Sequence, residues 1–220
     1  MKKTLPFILI ILLITSCNSP TKNVPEEQKQ DVAQESRPKE MLKEAYQLFK
    51  EGDDSVSIAL ANAVLAIGKK TNNDTLIGKA LTSLCRNAQR KLDTTRLAEL
   101  SDQLVTLSER TGNQSWLMYR AHMNAEMWRL IGNMDRAEGF YNESMQISKE
   151  IGAMGMYTID HFNKSFVSTA KGDFDEATAL ISRYYQLRKE ANKKPDDAYG
   201  LIALAYLLEQ QKKYAAAHEV

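Results

Sequence analysis

Cysteine, tryptophan and proline are scarce in this chain, at two, two and five residues among 220. Two cysteines, Cys17 and Cys85, cannot build a disulfide framework or a CxxC redox or zinc pair. The three histidines, His122, His161 and His218, lie far apart, and none belongs to an HExxH pattern. P-loop, GxGxxG and nucleophile-elbow signatures are missing. No cofactor, metal or enzymatic activity is therefore expected. An excess of one charge is also lacking. Net charge is +1, and Lys2 and Lys3 contribute two of the positive charges, so the remainder is close to neutral. Without a basic excess there is nothing to drive counterion release, and a nucleic-acid surface on this segment is not expected. Long apolar runs are absent too. Leu5 to Ile14 is apolar apart from Pro6, but a membrane-spanning helix needs roughly 20 such residues.

That short run follows a basic start, Met1-Lys-Lys-Thr, and ends Leu13-Ile14-Thr15-Ser16-Cys17. Together these fit a secretory signal. Its last residues resemble the lipobox of bacterial lipoproteins: an aliphatic residue, two small ones, then cysteine. The resemblance implies a signal peptide over residues 1–17 with Cys17 as the lipid attachment site. The Cys17 thiol would take a diacylglyceryl group and the freed amine a fatty acid such as palmitate. Two or more acyl chains hold a protein on a bilayer where one does not. The alternative is an ordinary signal peptide with an incidental cysteine. Asn18, rather than aspartate, leans by the same resemblance towards the outer membrane, facing the periplasm. Residues 18–38 are polar and carry Pro20, Pro25 and Pro38. They read as a disordered tether, which as a flexible coil spans about 25 Å.

From Lys39 the apolar spacing turns helical: Met41, Leu42, Ala45, Leu48 and Phe49 share one face. The stretch Gly132 to Gly152 then supplies a ruler. Gly132-Asn-Met-Asp-Arg-Ala137 returns forty residues later as Gly172-Asp-Phe-Asp-Glu-Ala177, and Ser148-Lys-Glu-Ile-Gly152 matches Ser108-Glu-Arg-Thr-Gly112 forty residues earlier. A fixed period signals stacked units. Gly and Asn/Asp breaks divide the chain into helices near 55–69, 75–91, 95–110, 115–130, 134–150, 156–171, 174–190 and 198–211, with a last partner starting at Tyr214. Short loops make consecutive helices antiparallel.

Two columns test the phase. The first helix of each unit places Ala45, Cys85, Ala125, Ser165 and Ala205 at one position, all small. The second places Ser57, Leu97, Ala137, Ala177 and Ala217, with Leu97 out of character. Small residues in register mark close helix crossings. Cys85 therefore reads as a packing residue more readily than as a reactive thiol.

Ala125, Gly132, Ala137 and Tyr141, with Gly172 and Ala177, resemble the signature of the tetratricopeptide repeat (TPR) family. The resemblance covers residues 39–220. It implies an all-α fold, a right-handed α-solenoid of antiparallel helix pairs with a 40-residue period and about 4.5 repeats. The period exceeds the family's usual ~34 residues and also reaches the HEAT/armadillo range. The helix-ending proline of the family is missing here.

TPR proteins bind protein or peptide ligands on a concave face lined by the first helix of each pair. Carrying that face over by register gives Lys79, Arg86, Tyr119, His122, Glu126, Arg129, Phe162, Phe166 and Tyr206 as groove residues. The polar end and aromatic end suit a peptide with acidic and apolar parts; alternatively the aromatics pack between helices. The fifth unit stops two turns into its second helix without a polar cap, so a further segment is expected after Val220. The expected role is a lipid-anchored periplasmic scaffold for protein–protein interaction. Two alternatives stand beside it. One is the sensor segment of a longer regulator, as in Bacteroidetes-type TPR regulators. The other is an accessory subunit of an envelope enzyme or transporter.

Overall fold

The computed structural model describes residues 26–191 and 198–212, with side chains from 36 to 191 and from 200 to 212. Cys17, the signal-like segment, His218, Ala217 and the expected helix from Tyr214 lie outside the described residues. Among the described residues every regular element is helical. They are α1 (Glu26–Glu51), α2 (Asp54–Lys70), α3 (Asp74–Arg90), α4 (Thr94–Thr111), α5 (Ser115–Leu130), α6 (Met134–Glu150), α7 (Met154–Lys171), α8 (Phe174–Glu190) and α9 (Ala198–Gln210). The helix ends fall within a residue or two of those read from apolar spacing, with one exception. Helix α1 starts at Glu26 and carries Pro38 inside it, so it takes in part of the stretch expected to be a tether. That stretch is polar, but Glu, Gln, Lys and Ala are good helix formers, and polarity alone does not distinguish a solvated helix from coil.

The periodicity is finer than forty residues. Positive φ recurs at Gly52, Asn72, Leu92, Gly112, Gly132, Gly152, Gly172 and Lys212. Helices α1 to α7 and α9 are thus each followed by a left-handed residue, the usual stop for an α-helix, and from α2 to α7 each helix with its turn occupies twenty residues. Where the next helix starts, Asp53, Asn73, Asp93, Asn133 and Asp173 each accept a hydrogen bond from the backbone N–H three residues on. These side chains satisfy one of the donors that a helix start leaves orphaned.

Equal modules fix a register between antiparallel neighbours. An acid in the first turn of one helix meets a base in the last turn of the next: Asp54 with Arg90 at 2.9 Å, Asp74 with Arg110 at 2.7 Å, Asp135 with Lys171 at 2.8 Å. Both charges also complement their own helix dipoles. Exposed pairs of this kind add little stability, but they mark the alignment.

From Ser36 onward the helices form one compact unit. Sequential helices pack side by side, and α3 also touches α5, α5 touches α7, and α7 touches α9. Among the described residues the even-numbered helices touch only odd-numbered ones. The odd-numbered helices therefore line the inner face of an α-solenoid. The small columns lie at the crossings in most units: Ala205 on α9 is only half-buried, but Ala45, Cys85, Ala125, Ser57, Ala137 and Ala177 are fully buried and Ser165 is buried. Leu97 is buried as well, and α3 and α4 pack less intimately than the α5–α6 pair, as a larger side chain at a crossing requires. Ser57 earns its place differently, donating to the Ala45 carbonyl at 2.8 Å and accepting from Asn87 at 3.2 Å. No described helix is long and apolar enough to cross a membrane.

Candidate functional site

Most of the length of α3, the start of α5 and the C-terminal part of α1 face one another across the inner side, leaving a cleft of about 520 Å³. Lys79 and Arg86 stand two turns apart on α3, so they share a face, and Tyr119 faces them from α5. Register alone had named these three. Lys43, Tyr46 and Trp116 also line the cleft and were missed. Tyr46 was within reach, because it occupies in the first unit the position that Arg86 holds in the second. Trp116 sits where it does because Gly78 leaves room. A Cβ on Gly78 would come within 2.4 Å of the Trp116 ring. The indole is buried and lies 6.5 Å from the Tyr119 ring.

The electrostatics of this cleft are one-sided. Among the described residues no aspartate or glutamate lines it, while Lys43, Lys79 and Arg86 do. Arg86 lies over two aromatic faces, at 4.9 Å from the Tyr46 centroid and 5.7 Å from that of Phe49. Burial pulls its guanidinium below the ordinary arginine value. Among the described residues no carboxylate is within ion-pair distance of Arg86, whereas Arg90, Arg110, Arg120 and Arg129 each have one.

His122, Glu126 and Arg129 were expected on the groove surface, and the structure turns them inward. His122 is buried, and its Nδ1 lies 2.6 Å from Oδ1 of the fully buried Asp160 on α7. Ser144 of α6 donates to the other Asp160 oxygen at 2.5 Å. Burial alone would pull the His122 pKa down. The hydrogen bond and charge of Asp160, helped by Glu126, more than offset it and leave His122 above the ordinary histidine value. Glu126 accepts from Arg129 at 2.9 Å and from the Tyr141 hydroxyl. Burial would raise its pKa, but Arg129, His122 and Tyr141 hold the carboxyl below the usual glutamate range. The reason for the inward turn lies in the core. Its apolar part falls into separate clusters, and this polar group fills the junction of α5, α6 and α7.

Serine, histidine and aspartate meeting in one place invites comparison with a catalytic triad. The connectivity is wrong for one: the serine hydroxyl bonds the carboxylate and not the imidazole. A nucleophile needs a base within reach, and all three groups are buried.

Phe162, Phe166 and Tyr206 also work between helices. Phe162 and Phe166 meet edge to face at 5.0 Å, Phe162 lies 5.5 Å from Tyr184, and Phe166 lies 5.6 Å from Tyr206. Arg129 approaches Phe166 at 5.8 Å. The packing alternative describes these aromatics better than a ligand-facing role. A second hollow, of about 630 Å³, lies between α7 and α8 and is lined in part by Phe162, Tyr184 and Leu187.

Cys85 is fully buried and unpaired, and burial pushes its thiol up to about 12. It is a packing residue. His161 is buried against the Tyr157 carbonyl at 2.7 Å, and burial lowers its pKa. Lys164 is buried and donates to Glu176 at 2.7 Å, with Ser168 on the other Glu176 oxygen at 2.7 Å. Sequence reasoning missed this cluster, since scattered charges on a helix read as a solvated face. Among the described residues no three His, Cys, Asp or Glu side chains gather as a metal site requires.

No protein-family model and no curated protein sequence matches this chain. Among solved structures, BtubC (BKLC) from P. vanneervenii is similar. The likeness covers 84% of this chain and 85% of that one, with 14% identity and a TM-score of 0.56. It supports a helical-repeat fold and nothing about binding.

Proposed function

We propose that this protein is a lipid-anchored TPR-type scaffold of the cell envelope, exposed to the periplasm, that holds a protein or peptide on its inner face. The observation that carries the binding half is the cleft over α1, α3 and α5. It combines aromatic walls with cations and, among the described residues, no acid, on the side where successive odd-numbered helices converge. Ligand sites combine apolar walls with a few placed polar groups in this way. Support for the anchor is the sequence running from Lys2 to Cys17.

The test has two arms. Cys17→Ser should abolish incorporation of labelled fatty acid and release the protein from membranes; unchanged labelling removes the anchor from the account. Tyr119→Ala combined with Lys79→Glu should reduce capture of envelope proteins at a temperature where circular dichroism shows the variant still folded. Undiminished capture would remove the cleft from the account.

A further inference from the structure

We infer that the cleft between α1, α3 and α5 is built for a peptide segment that carries glutamate or aspartate side chains beside aromatic or aliphatic ones. This rests on the peptide-binding reading above and narrows it to a class of ligand. Three observations converge. Lys43, Lys79 and Arg86 line the cleft and, among the described residues, no carboxylate does, so an entering anion meets attraction and no like charge. Arg86 is held in place by stacking on Tyr46 and Phe49 rather than by an ion pair. A guanidinium fixed in this way keeps its hydrogen-bond donors free for a carboxylate, to which it can offer two parallel bonds. Between the cations stand Tyr46 and Tyr119, the latter backed by the buried Trp116, flat surfaces that take an apolar side chain at small entropic cost. A bare anion would leave those rings unused, and a purely apolar peptide would leave Arg86 half-buried without a counter-charge.

The polar neighbourhood also sets the limit of the site. Beyond Tyr119 the next charges, His122, Glu126 and Arg129, are occupied with Asp160, with each other and with Tyr141. The site is therefore confined to the first three odd-numbered helices, rather than running the length of the face.

The probe is a blocked pentapeptide, acetyl-Glu-Phe-Glu-Phe-Glu-amide, titrated calorimetrically into the full chain in neutral detergent. Its counterpart replaces each Glu by Gln, and inorganic phosphate is the third ligand. The acidic peptide should bind with an affinity that falls as salt rises. The amide peptide should bind roughly tenfold more weakly or worse, and phosphate should compete poorly. Arg86→Gln should weaken acidic-peptide binding by roughly tenfold. Lys79→Gln, at an exposed position, should weaken it without touching the fold and decides the matter if the Arg86 variant unfolds. Arg136→Gln, on α6, should leave it unchanged. Equal binding of acidic and amide peptides, failure of the acidic peptide to bind, or binding that ignores both Arg86 and Lys79 overturns the inference. Phosphate competing as well as the peptide also overturns it, in favour of a small-anion site. If the acidic peptide fails while capture of envelope proteins still depends on Tyr119 and Lys79, the ligand class is wrong and the scaffold reading survives.

Discussion

Leu92 sits in the left-handed region with a φ of 54°, at the point in its turn where Gly52, Gly112, Gly132, Gly152 and Gly172 sit in theirs. A β-carbon in that conformation costs on the order of 1 kcal/mol, and the exposed Leu92 side chain recovers little by burial. Leu92→Gly should therefore raise the melting temperature by roughly 2–4 °C, read by circular dichroism. No rise would mean that Leu92 makes contacts worth as much as its strain. His122 bears on pH. Its pKa is raised in the folded state by Asp160 and Glu126 against the pull of burial. Its contribution to stability is thus fully present below the unfolded value, about 6.5, and is lost as pH rises through the folded value. Denaturant midpoints of wild type and His122→Gln should differ most at acid pH and converge as pH rises. A gap that is constant with pH would contradict the protonated pair. Register in the sequence located His122 on α5 but could not show which way it faced. Inward rotation depends on Asp160, thirty-eight residues away, and no local pattern reports that distance.

At the scale of helices, glycine separates packing from propensity. Gly78 and Gly139 both lie inside helices, α3 and α6. Around Gly139 an added Cβ meets nothing within 4 Å, whereas at Gly78 it meets the Trp116 ring. Gly139→Ala should stabilise by about 0.5–1 kcal/mol through helix propensity alone. Gly78→Ala should destabilise by about 1–3 kcal/mol, because overpacking outweighs that gain. Chemical denaturation of the two variants checks both signs, and two gains would show that Trp116 moves aside freely. Most of this level was legible in the sequence. Apolar spacing and the Gly and Asn/Asp breaks placed α2 to α9 closely, because amphipathic periodicity and capping are local. The twenty-residue module was harder to see. Asn72, Leu92 and Lys212 replace glycine at three of the turns, which hid the half-period and left only the forty-residue one. The start of α1 was missed for the opposite reason: residues 26–36 hold only Val32 and Ala33 as apolar residues, too few to set a period.

For the molecule as a whole, the inner face divides into two parts with different work. Over α1, α3 and α5 it is a cleft lined by cations and, among the described residues, by no acid; over α7 and α9 the aromatic side chains are spent on joining helices. Identity of residue type suggested a continuous groove from Lys79 to Tyr206, and only packing distinguishes the ring that faces solvent from the ring that faces a neighbouring helix. The central claim is that partners meet the protein at the first of these parts. The most direct measurement is site-specific photocrosslinking in intact cells, with a benzophenone amino acid in place of Lys79 on α3 or in place of the exposed Asp102 on α4. The account predicts a discrete adduct from position 79 and none from position 102. Adducts of equal yield from both, or from position 102 alone, would contradict it.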